Sequence, residues 1–277
     1  MKAAGAVLAV LLAAQSPARV AVLDLAGDEG GEFAAPLRAA AAGAAALVDA
    51  GQARAAARGV GYSGGLNLSR EEARALGMSV GCDFYVLGRA QVTRRLGAHD
   101  ETYYDALAGL FVVETRRGRL IRFACPRARA AGEAEARAQL TALIKDEWPE
   151  AAAAIEAAGR ELSAPPELTA RAPEEVYDLR EAGAGPPGVR PPVFYQRLKP
   201  DYTEEARLAG VAAIVELEAV FGADGRVGEV EVTRWAGFGL DEASVATARQ
   251  LRFKPAERDG RPVSVRALVR YQFRQPL

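Results

Sequence analysis

Two kinds of hydrophobic periodicity divide the chain. Arg19-Val-Ala-Val-Leu-Asp-Leu25 is a nearly unbroken apolar run closed by Gly27, Asp28, Gly30 and Gly31, the pattern of a strand buried on both faces of a parallel or mixed sheet. Ala-rich helix is predicted from about Phe33 to Leu47, then a short strand at Leu47-Val48-Asp49 and an Ala/Arg helix ending near Gly59. Ser69 and Glu72 hold the S-x-x-E spacing of a capping box, so a third helix opens there and ends at Gly77 and Gly81. Asp83 to Val92, Tyr103 to Thr115 and Arg119 to Cys125 read as three successive strands, the last two joined by a tight Arg116-Arg117-Gly118 turn. A long helix is expected from about Arg127 to Ala158, interrupted at Trp148-Pro149 because Pro lacks a backbone donor.

The closing part of the chain alternates with period two. Val211, Ala213, Val215, Leu217, Ala219 and Phe221 share one strand face, with Glu216 and Glu218 on the other. Gly222-Ala-Asp-Gly225 supplies a hairpin turn, and Arg226 to Arg234 returns as a second strand. Asp241 is placed to cap a helix that carries Val245, Ala248 and Leu251 inward and stops at Phe253-Lys254-Pro255. In the last strand Val263, Val265, Ala267, Val269, Tyr271 and Phe273 lie on one face, and Arg266, Arg270 and Arg274 on the other. If this strand lies beside Val211 to Phe221, Glu216 and Glu218 can pair with these arginines. Trp235 and Phe238, in the loop before the helix, suit either a core or an exposed contact.

The fold class is therefore an α/β N-terminal domain, a mixed sheet with flanking helices, followed by a small α+β domain. In the latter, helices cover one face of a three-stranded, antiparallel-type sheet. The expected boundaries are an export signal at 1–18, the α/β domain at 19–160, a linker at 161–192 and the C-terminal domain at 193–277. The signal is read from Lys2, the apolar run Ala3 to Ala14, and Ser16-Pro17-Ala18. Its apolar run would reach only about 18 Å as a helix, too short for a permanent span of a roughly 30 Å core. Periplasmic, envelope-associated localisation without a stable transmembrane anchor follows as the expectation. Pro165-Pro166, Pro173, Gly183 to Gly188 and Pro191-Pro192 mark the linker, which in extended form could hold the domains several tens of Å apart.

Charge adds one refinement. Thirty-five basic and 36 acidic residues give a net −1, which argues against a nucleic-acid partner. Residues 249–277 nevertheless hold eight basic and two acidic side chains. One His and two Cys, without C-x-x-C or H-x-x-x-H spacing, offer no metal site, and no cofactor is implied.

The C-terminal motifs resemble the C-terminal domain of the TonB energy-transducer family. They are Lys199-Pro-Asp-Tyr202 with Ala206-Arg207 and Gly210, Val215 to Phe221, Ala223-Asp-Gly-Arg-Val227, Leu240-Asp-Glu-Ala243, Leu251-Arg-Phe-Lys-Pro-Ala256, Gly260-Arg-Pro-Val263 and Tyr271-Gln-Phe273. Tyr202-Thr203 stands where the family has Tyr-Pro, and Trp235-Ala-Gly237 where relatives have Ser-Gly. The resemblance implies structural roles for Pro200, Tyr202, Arg207, Gly210, Asp224, Gly225, Phe253 and Pro255. It also implies a link to energy transduction and transmembrane transport, and a partner segment that adds to the last strand. The family's transducers need a membrane-spanning helix and a long Pro-rich spacer, and neither is expected here. More weakly, Arg19 to Leu25, Leu47 to Asp49 and Gly81-Cys-Asp-Phe-Tyr-Val-Leu-Gly88 resemble the periplasmic α/β domains of CsgG-like, TolB N-terminal and LpoB-like proteins.

The expected function is non-enzymatic binding of an extended segment of an envelope protein, outer-membrane receptors among the candidates, by strand addition. Val263, Val265, Ala267, Val269, Tyr271, Phe273, Arg266 and Arg270 are the partner-binding candidates, and a Pro at Val269 is expected to abolish binding without disturbing the fold. The alternative is a structural adaptor that uses both domains for interaction without energy transduction. No catalytic residues are assigned. Gly61-Tyr-Ser-Gly-Gly65 matches the G-x-S-x-G string with His99 as sole base, but helix, not strand, is predicted before it. Strand register sets Cys82 and Cys125 of order 20 Å apart, beyond the roughly 7 Å reach of a disulfide.

Overall fold

The computed structural model describes residues 17–43, 45–97, 101–164, 175–180 and 186–275. All but the last two residues of the expected export signal, and His99, lie outside them. The N-terminal half runs β1 (Arg19–Val22), α1 (Ala34–Ala42), β2 (Ala46–Leu47), α2 (Ala50–Gly59), α3 (Arg70–Val80), β3 (Phe84–Leu96), β4 (Thr102–Glu114), β5 (Arg119–Ala124), β6 (Arg127–Ala130), α4 (Glu133–Asp146) and α5 (Trp148–Ser163). Its sheet has the order β2-β1-β3-β4-β5, with β6 also on β4. β1 pairs parallel with β2 and β3, and the remaining pairs are antiparallel, which makes the sheet mixed.

Local chemistry sets these boundaries. Both halves of the Ser69–Glu72 capping box are formed, and α3 ends on left-handed Gly81, while Gly77 sits inside the helix against Thr115. The long helix expected from Arg127 starts later. Arg127–Ala130 is instead strand β6, because its alternation puts Ala128 and Ala130 inward on the edge of β4. The expected break falls at Glu147, with Pro149 in the first turn of α5.

The second half comprises β7 (Val176–Asp178), β8 (Val189–Arg190), β9 (Val193–Phe194), α6 (Glu204–Ala209), β10 (Ala213–Phe221), β11 (Val227–Arg234), α7 (Leu240–Arg249), β12 (Phe253–Lys254), β13 (Ala256–Arg258) and β14 (Arg261–Phe273). The three expected strands form the run β11-β10-β14. β13 and β8 extend the sheet, β7 pairs with β14, and β12 pairs with β9 in a separate ribbon. Segment 161–192 is thus more than a spacer: α5 runs into it, and it contributes β7 and β8.

Nor do the halves stand apart. One face of the first sheet is covered by α1, α4 and α5 through Phe33, Leu37, Leu140, Ile144, Trp148 and Ile155. The other face, including Tyr85, Leu87, Phe111 and Val113, shares a single core with α2, α3 and the second half, which inserts Trp235, Phe238, Leu217 and Leu240. The area that this burial removes from water outweighs the reach of an extended connection, so a long linker does not produce separation.

Candidate partner-docking edge

β14 pairs antiparallel with β10 in unbroken register from Phe273↔Ala213 to Val265↔Phe221. On the opposite side β13 pairs with Arg261–Val263, and β7 pairs parallel with Ser264–Arg266. Among the described residues no strand pairs with that side of Ala267–Phe273. The Leu179 N–H donates to Arg266 O at 2.7 Å, which fixes which residues face outward. The N–H and C=O of one strand residue point the same way and alternate along the strand. Leu268, Arg270 and Gln272 therefore present their backbone groups to the open side, and Ala267, Val269, Tyr271 and Phe273 present theirs to β10. This corrects the expected effect of Pro at Val269, which would break the β10–β14 ladder.

The side chains divide as the alternation predicts. Val265 and Phe273 are buried, Val263, Ala267, Val269 and Tyr271 are half-buried, and Leu268 and Arg270 are exposed. Burial raises the Tyr271 phenol above its usual range. Arg270 pairs with Glu216, and Arg266 lies 3.9 Å from Glu218 and 3.5 Å from Glu229.

A cleft of about 900 Å³ lies between this open edge and residues 192–200. Its apolar floor includes Phe194, Leu251 and Val269, and its four charged lining residues, Arg197, Lys199, Arg270 and Arg274, are all basic. Phe194 is 41% exposed and Leu268 39%.

The remaining motif residues hold this edge in place. Pro200 lines the cleft. Tyr202 Oη donates to Val211 O at 2.6 Å, tying α6 to the start of β10, and Gly210 ends α6 at φ 64°. Arg207 pairs with Glu204 on α6. Asp224 Oδ1 accepts from the Arg226 N–H at 2.9 Å inside the hairpin, and Gly225 takes φ 79°. Phe253 packs on Phe221 and Phe194, with ring centroids 5.0 and 5.9 Å apart. Pro255 separates β12 from β13.

The sequence left the opposite side of the module undecided or unseen. Trp235 and Phe238 are core residues of the junction. Phe238, at φ 54°, packs on Phe123 and Phe111 with centroids 4.8 and 6.1 Å apart, over Gly109, where a Cβ would lie 2.6 Å from its ring. The Asn67 amide acts as one residue of a strand. Its Nδ2 donates to Ile214 O at 2.8 Å and Trp235 O at 2.5 Å, while Oδ1 accepts from the Ile214 N–H at 3.0 Å. A lone Asn in a polar loop carries no sequence signal for this. Asp241 lies inside α7, whose N-cap is Gly239. Its carboxylate accepts from the Ala236 and Gly237 N–H groups at 2.8 and 2.9 Å and so shapes the loop that presents Phe238. Burial pushes this carboxyl up to about 7, against the two hydrogen bonds that favour its charged form.

Other candidate chemistry gains no support. Gly61 to Gly64 follow helix α2, so the nucleophile-elbow context is absent. Cys82 and Cys125 are free thiols, both pushed up to about 11 by burial. Among the described residues no cluster of three His, Cys, Asp or Glu could hold a metal, and no helix is long and apolar enough to cross a membrane.

Comparison with solved structures finds the solution structure of the Pseudomonas aeruginosa TonB C-terminal domain, 18% identical, covering 36% of this chain and 94% of that one at a TM-score of 0.28. The Paraburkholderia phytofirmans PelC dodecamer is 14% identical, with coverage of 48% and 86% and a TM-score of 0.31. The Salmonella enterica LpoB C-terminal domain is 18% identical, with coverage of 42% and 86% and a TM-score of 0.28. No curated protein sequence matches the chain. The family assignment rests on sequence: residues 199–275 match the family described as Gram-negative bacterial TonB protein C-terminal, so the second half of this chain carries a TonB-like C-terminal domain.

Proposed function

We propose that this is an envelope protein that captures an extended segment of a partner by strand addition along Ala267–Phe273. The observation that carries the reading is the outward-facing backbone of Leu268, Arg270 and Gln272 beside an apolar, basic cleft. Unpaired edge groups bind a guest strand through main-chain hydrogen bonds, and side-chain pockets set specificity. The basic rim favours a guest with acidic residues, and Phe194 and Leu268 favour apolar ones at alternate positions. Export to the periplasm and connection to outer-membrane transport follow from the TonB-like domain as parts of the same proposal.

The test is photo-crosslinking in intact cells, with the crosslinker placed in turn at Leu268 and at Gln272. Strand addition predicts adducts to one partner segment, at positions about four residues apart, that disappear in Arg270→Pro. Adducts at unrelated partner positions, or adducts that persist in Arg270→Pro, would overturn it.

A further inference from the structure

The docking edge is already partly occupied. Val176, Tyr177 and Asp178 pair in parallel with Ser264, Val265 and Arg266, collinear with the open stretch and on the same side of β14. This strand is short and shallow. Val176 is 37% exposed and Asp178 is exposed, and only Tyr177 reaches the apolar cluster around Phe221 and Val265. Leu179, directly after the strand, packs on the same cluster and donates to Arg266 O, and arginines add to the hold. Arg258 Nη1 donates to Tyr177 Oη at 2.8 Å, the Arg258 Cζ lies 5.1 Å from the ring centroid, and Arg180 bridges Asp178 and Glu218 at 2.6 and 3.1 Å. Ion pairs this exposed contribute little. The sequence on both sides is rich in Pro and Gly, from Pro165-Pro166 and Pro173 to Gly183, Gly185 and Pro186-Pro187. Such tethers keep a detached strand near its site at high effective concentration.

We infer that Val176–Asp178 is a built-in, displaceable occupant of the docking edge. It limits a guest to the seven residues Ala267–Phe273, and a guest pairing further toward the β13–β14 hairpin must replace it. The edge is thus a surface shared between the chain's own strand and an extended partner segment. This concerns the same strand as the proposed function, but its test uses a peptide of the protein's own sequence, so the two readings fail separately.

The probe is a fluorescein-labelled synthetic peptide of residues 173–182, titrated by anisotropy into the full chain. Tyr177→Pro removes a backbone donor and the half-buried ring, and should raise peptide affinity at least tenfold over the unmodified chain. An oxidised Asp178→Cys/Arg266→Cys chain, with the strand locked in place, should bind no peptide until it is reduced. Hydrogen exchange on the unmodified chain supplies a measurement that needs no variant. The outward-facing Arg266 amide should exchange at least 100-fold faster than the inward-facing Val269 amide of the β10–β14 ladder. Equal affinity of the unmodified and Tyr177→Pro chains, or an Arg266 amide as protected as that of Val269, would overturn the inference.

Discussion

The two sides of the TonB-like module differ in how completely their hydrogen bonds and apolar surface are used. At the junction, Phe238 fills an aromatic pocket over Gly109, and Asn67 closes three backbone hydrogen bonds across the halves. At the outer edge of β14, backbone groups of Leu268, Arg270 and Gln272 face a cleft, and the strand next to them, β7, is three residues long. Both regions border the β11-β10-β14 run, Asn67 on its β10–β11 side and the cleft on the outer side of β14, so the difference lies in what packs on each. A densely packed surface fixes one arrangement, and an open edge leaves hydrogen-bonding capacity for a guest.

The largest expected effect tests the packed junction. Phe238→Ala should cost about 3–5 kcal/mol in urea unfolding, because it removes a buried ring packed on β4 and β5. The unmodified chain should lose both halves in one transition, and separate transitions in the unmodified chain would show that the junction does not couple them. Val269→Pro should cost about 3 kcal/mol or more, since the missing N–H points to β10. Asn67→Ala should cost roughly 1–3 kcal/mol by leaving the Ile214 N–H and two carbonyls unpaired, and a loss near zero would mean that water replaces the amide.

The next effect is electrostatic. Folding raises the Asp241 carboxyl from 3.8 to about 7, so between these values the folded protein binds more protons than the unfolded one. Stability from this group is full below about pH 4 and declines as the pH rises toward 7, by no more than about 1.4 kcal/mol per unit. Comparing chemical unfolding of the chain with Asp241→Asn from pH 4 to 8 isolates the contribution, and parallel profiles would refute it. The smallest effect tests the open edge: Arg270→Pro removes an outward N–H with no partner within the described chain, and should change stability by less than about 1 kcal/mol. A loss matching that of Val269→Pro would reverse the assignment of inward and outward residues.

Much of the architecture was legible locally. The Ser69–Glu72 box, the alternation of Ala213 to Phe221 and the turn at Gly222 to Gly225 are short-range signals whose physics is contained in a few residues. Arg127–Ala130 misled because Arg and Ala favour helix, whereas the free edge of β4 selected strand. The candidate site was half legible. Apolar faces alternate visibly in β14, but which amides point outward depends on the partners of Val265 and Arg266, which lie more than forty residues away on β10 and nearly ninety away on β7.

The sequence by itself determined most of the helices, the long strands and the TonB-like motif set, because each rests on periodicity, capping and turn chemistry within a few residues. Only the tertiary structure decided that the halves share one core, that Asn67 and Phe238 join them, and that part of segment 161–192 pairs with the outer edge of β14. Those outcomes depend on which distant surfaces and unpaired backbone groups meet, and no local pattern encodes that choice.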